Sequence, residues 1–151
     1  MKSINTLIAA FGLTLVTGLA TAAPLQVATI TSIGSPKQTY EPNEALALSA
    51  NGLRGGRCGV QVHIDGNIAG GGAPWNVVVG SIVTDTFPVQ YANIYPPRAG
   101  TYTVKAFGEA VPAYGGHAAA PACQGSANYI FTVTPPPVRK SPVNVPVADP
   151  K

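Results

Sequence analysis

Two cysteines, two histidines and six carboxylates carry most of the chemistry this 151-residue chain can offer. Cys58 opens the run CGVQVHIDG and Cys123 stands far downstream in PACQG. A Cys/His enzyme needs one sulfur kept reduced and a base beside it. His63 and Asp65 are the only local pair of metal-ligating residues, two apart on one face of a strand, and a metal centre needs a larger cluster. His63 reads as an exposed strand end and His117 as a plain loop residue in GGHAAAP. No G-x-S-x-G elbow is present. AGGGAPW, residues 69–75, lacks the following Lys-Ser/Thr and the helix N-terminus that hold a phosphate. LRGGR, residues 53–57, is a single short copy of an arginine-glycine segment. Glu41, Glu44, Asp65, Asp85 and Glu109 offer no telling pair for glycoside chemistry. The expectation is a protein that is not an enzyme, with no catalytic, cofactor-binding or metal-binding residues and no cofactor.

The compartment decides how the cysteines read. MKSINTLIAAFGLTLVTGLATAA has a positive start at Lys2, an apolar stretch from Leu7 to Val16 and the small-x-small pattern Ala20-Thr21-Ala22. This predicts a signal peptide over residues 1–22. Cleavage one residue later would place Pro24 directly after the scissile bond. The apolar core is short and interrupted by Gly12, Thr14, Thr17 and Gly18, which argues against a membrane anchor. No later segment is apolar enough to cross a bilayer, so no membrane span is expected after cleavage. The protein is therefore expected outside the cytoplasm, periplasmic or extracellular. In such a compartment two cysteines pair more often than they react. A Cys58–Cys123 disulfide closes about 65 residues and contributes about 4 kcal/mol in the chain-entropy treatment. It is expected to lock opposed layers of strands together.

The elements that position these residues are short. Charged residues make up 10% of the chain against the roughly 25% usual for soluble proteins. Apolar residues make up 46%, in short, evenly spread runs, so the composition is not that of a disordered chain. Seventeen glycines and fifteen prolines punctuate it. Seven strand-sized pieces emerge: LQVATITSI, EALALSAN, CGVQVHI, NVVVGSIV, TDTFPVQYANI, GTYTVKAFG and SANYIFTVT. In the third, Cys58, Val60, Val62 and Ile64 share the core face. Asp65-Gly66 matches a two-residue hairpin turn after it, and IAGGGAPW, with Trp75, reads as a glycine-rich connection. Gly80 suggests a break in the fourth strand, and Pro88 an edge or bulged fifth strand. The proline-rich stretch 135–151, PPPVRKSPVNVPVADPK, forbids strand pairing and reads as a disordered tail. With no helices between strands, two antiparallel sheets packed face to face are the economical arrangement for residues 24–134.

Within GTYTVKAFG, the residues Gly100, Tyr102 and Val104 form an x-G-T-Y-x-V strand placed next to last, before a long loop and a closing strand. This resembles bacterial immunoglobulin-like domains, including the PKD and fibronectin-III-like groups, over roughly residues 25–134. The resemblance implies an all-β, immunoglobulin-like antiparallel sandwich of about seven strands with one disulfide, and a structural tyrosine corner at Tyr102. The cysteines do not occupy the positions of the antibody-type bridge, and the PKD signature around the third strand is absent.

Between residues 23 and 134 five basic side chains balance five acidic ones, so a nucleic-acid partner is not expected. Trp75, Tyr95 and Tyr114 fall in or beside loops rich in glycine and proline, where aromatics make contact groups for proteins and sugars. The first expectation is an exported, non-catalytic binding or adhesion module that offers these aromatics, or an open strand edge, to a protein or glycan of the cell envelope. A structural or assembly subunit of an envelope or surface-appendage complex is the alternative, with the tail as a tether. A secreted enzyme inhibitor or hydrolase is the third.

Overall fold

The computed structural model describes residues 26–138; the expected leader and the tail from residue 139 onward lie outside the described residues. Eight strands make two sheets with no helix among the described residues. They are β1 (Thr29–Gly34), β2 (Thr39–Tyr40), β3 (Leu46–Leu53), β4 (Cys58–Ile68), β5 (Trp75–Thr84), β6 (Val89–Ile94), β7 (Gly100–Gly108) and β8 (Ser126–Val133). The small sheet has the order β1-β3-β6 and the large one β2-β8-β7-β4-β5. All neighbours run antiparallel except β2 and β8, which pair in parallel through Thr39 with Thr132 and Tyr40 with Val133.

Period-two alternation explains the core. Cys58, Val60, Val62 and Ile64 of β4 are all fully buried, beside Tyr102, Val104 and Ala106 of β7. Leu46, Leu48 and Ala50 of β3 and Ile30 and Ile33 of β1 close over them. The seven expected strands are present, and an eighth, β2, lies inside the stretch read as a loop. Its two residues are too few to show a period. It forms because Tyr40 is buried edge-on against Phe131, with ring centroids 5.6 Å apart.

Asp65-Gly66 is not a turn. Both residues are paired on two sides, Asp65 with Asn76 and Thr103, Gly66 with Trp75 and Tyr102. The glycine is there for space: a Cβ at position 66 would sit 2.5 Å from the Tyr102 ring. β4 continues to Ile68, and the reversal falls between it and Trp75. Trp75 is thus the first residue of β5 rather than part of the connection. At Gly80 the ladder between β4 and β5 slips by one residue. Pro88 immediately precedes β6, an edge of the small sheet.

Cys58 and Cys123 are joined. The bond does not run directly from one sheet to the other. It ties β4 to the segment Ala122–Gln124, which lies between the layers: Cys123 N–H donates to the Gly59 carbonyl (3.1 Å), Gln124 N–H to Ala28 (3.0 Å), and Ile30 N–H donates to Gln124 (2.8 Å). The layers are linked by sulfur on one side and by backbone hydrogen bonds on the other. β1 and β8 both run away from this disulfide end, so the body begins at one end of the sandwich and its last strand leaves at the other.

Candidate functional site

The residues singled out in the sequence do not converge. Tyr102 is fully buried, stacked on Phe131 (5.0 Å between centroids), and its hydroxyl donates to the Arg98 carbonyl four residues upstream at 2.6 Å. Trp75 is half-buried, edge-on against Tyr102 at 5.7 Å, so part of its ring packs against the core. Tyr95, just past β6, is 51% exposed, and Tyr114 is 86% exposed. Tyr95 shares the Trp75 end of the sandwich, while Tyr114 stands at the disulfide end. β4 spans that distance in ten residue steps, about 33 Å at ~3.3 Å each. The two tyrosines therefore belong to separate surfaces.

The polar residues with chemical potential are engaged. His63 Nε2 bonds Gln61 Oε1 at 2.7 Å, and its ring stands edge-on to Phe107 at 4.8 Å. Asp65 pairs with Lys105 at 2.9 Å. Among the described residues no three His, Cys, Asp or Glu side chains gather as a metal site. Both sulfurs are consumed in the disulfide. Burial pushes the Tyr91 phenol up to about 12, and its hydroxyl donates to the Val60 carbonyl at 3.1 Å, a structural role inside the core.

What the structure does bring together is a seam. β5 is one edge of the large sheet and β6 one edge of the small sheet, and they face each other across an open side of the sandwich. Trp75, Val77 and Val79 of β5 and Ala92 and Ile94 of β6, with Tyr95 at the end, line a cavity of about 230 Å³ there. The three β5 side chains are only half-buried, whereas those at the centre of the large sheet are fully so. On the same strand Val78 is 56% and Ile82 36% exposed. Sequence reasoning placed a strand here and missed its exposure. The available signal was its composition: WNVVVGSIVT holds neither a charge nor a proline.

Fold and site together define an all-β, two-sheet protein with one disulfide and an open strand edge. No protein-family model matches the chain, and no curated protein is similar enough to it to count as a relative.

Proposed function

We propose that this chain is an exported, non-catalytic binding module of immunoglobulin-like type, and that it receives an extended apolar segment of a protein partner along the seam between β5 and β6. The observation that carries this reading is the ten-residue edge strand β5, free of charge and proline. Edge strands offer unpaired N–H and C=O groups, and proteins ordinarily blunt them with lysines, prolines or short length. β6 is blunted in that way, with Pro88 before it and Asn93 in a left-handed conformation (φ 60°) within it. An unguarded edge beside a groove lined on β5 by Trp75, Val77 and Val79 suits strand addition: backbone hydrogen bonds supply affinity and pockets for alternate side chains supply selectivity. The immunoglobulin-like reading is supported by two face-to-face sheets and by the Tyr102–Arg98 hydrogen bond. Export is supported by the disulfide and by the leader pattern of residues 1–22. Among the described residues, no helix is long and apolar enough to cross a membrane.

A photo-crosslinking residue at Val78 in the full chain, expressed in its own cells, tests the seam. The same protein should be captured from position 78 and from Ala92 across the gap, and not from Thr103 in the middle of the large sheet. Capture from Tyr114 with none from positions 78 and 92 would move the contact elsewhere. Hydrolytic turnover abolished by H63A or H117A would replace the binding reading with an enzyme.

A second reading, an assembly subunit, is favoured by the same strand. Val78 and Ile82 lie exposed along it, so another copy could add its own β5 edge to edge. A concentration-dependent dimer lost in V78K would select it over a foreign partner.

A further inference from the structure

Between β7 and β8 the chain leaves the sandwich as a hairpin. Val111 and Ala120 exchange backbone hydrogen bonds (2.8 and 2.9 Å), as do Tyr114 and His117 (3.2 and 3.0 Å). Gly115 and Gly116 close it with φ of 57° and 84°, the two positive values a type I′ turn requires. Every residue from Pro112 to Ala119 is exposed. Five of those eight are Pro, Ala or Tyr. A hairpin that is internally braced yet buries little is organised to present its surface.

Its base and one flank border an open cavity of about 260 Å³ with Arg57 and β5. The walls are apolar: Val83, Val111, Pro112 and Ala118. The lining residues that carry polar groups are Arg57, His117 and Tyr114. No carboxylate lines it, and neither Arg57 nor His117 enters an ion pair among the described residues. A mostly apolar pocket lined by an arginine and a histidine, with no carboxylate, is complementary to an aliphatic group ending in an anion. The volume falls below the roughly 300–1,000 Å³ of pockets that enclose drug-sized ligands. That suits one terminal residue rather than a long acyl chain. Arg57 presents the planar fork that binds a carboxylate in bidentate fashion.

We propose that this cavity captures the free C-terminal carboxylate of a peptide ending in an aliphatic residue, with Arg57 and His117 holding the carboxylate and Val83, Val111 and Ala118 holding the last side chain. The site lies at the disulfide end and takes only Val83, near the far end of β5, from that strand, whereas the seam cavity takes Trp75 to Val79, so the two are tested separately.

The test is a titration of the ¹⁵N-labelled full chain, followed by amide shifts, with acetyl-Gly-Ala-Val-Leu as free acid, the same peptide as C-terminal amide, and hexanoate. The free acid should shift the amides of Arg57, Val83, Tyr114 and His117. The amide form should bind at least about tenfold more weakly, because a charge-assisted hydrogen bond is lost. R57Q should weaken the free acid by a similar factor and leave thermal unfolding unchanged, since Arg57 is exposed. H117Q should weaken it further when combined with R57Q. Equal binding of acid and amide, unchanged affinity in R57Q, or hexanoate binding as tightly as the peptide would each overturn the proposal. So would shifts confined to residues 75–79 of β5 and to β6.

Discussion

Gly66 shows how one residue can be read for the wrong property. Asp-Gly is a strong hairpin signal because glycine tolerates positive φ. Here the glycine stays in an extended strand and is needed because the Tyr102 ring fills the space of a side chain. G66A places its Cβ 2.5 Å from that ring and 3.0 Å from the Trp75 carbonyl. Overpacking of this kind costs about 1–3 kcal/mol, and urea denaturation of G66A against the parent should return a loss in that range. Tyr91 carries a pH dependence. Its pKa is raised by burial from 10.0 to about 12, so the folded state keeps a proton that the unfolded chain gives up. The stability tied to that proton is fully present below pH 10 and is lost as pH climbs toward about 12. Burial also raises Tyr102 and Tyr129, in the same direction. Denaturation midpoints of the parent should therefore fall between pH 10 and 12, and Y91F should show a shallower decline.

The 111–120 hairpin is an element whose stability is its own. Its cross-strand bonds join residues of the hairpin to one another, and the sandwich beneath is held by other contacts. G116A puts a side chain on a residue at φ 84°. It should speed amide hydrogen exchange at Tyr114 and His117 and leave β4 and β7 protected, with the global unfolding midpoint changed little. β5 is the contrasting case, firmly paired to β4 on one side and bare on the other. Alternation made most of the strands legible, since their inward faces repeat every second residue. It could not reveal which strands are edges, because that is set by sheet order and not by any local pattern. The exposure of Val78 and the burial of Trp75 follow from the same sheet order. β2 escaped notice for a different reason: two residues carry no period, and its place depends on Phe131, far along the chain.

At the scale of the molecule, the pairing of Cys58 with Cys123 follows from having only two cysteines, and the disulfide joins them. How the bond acts was not legible, because the segment Ala122–Gln124 sits between layers and is fixed by backbone bonds to Ala28 and Ile30. C58A/C123A should lose about 4 kcal/mol if the chain-entropy account holds for a closed loop of 65 residues. The backbone bonds of the segment predict more: with the sulfurs gone, hydrogen exchange at Ile30 and Gln124 should rise before exchange at Val62 or Val104. Equal rates at all four would mean that the bond acts on the unfolded chain alone.

The body begins at the disulfide end and its last strand leaves at the other. A tensile load applied through its two flanks would drag β1 and β8 along their own lengths, straining many ladder bonds at once instead of peeling them singly. The loop closed by the disulfide would stay shut throughout. Such a link would yield little length when stretched and hold the exposed hairpin in shape while it did so.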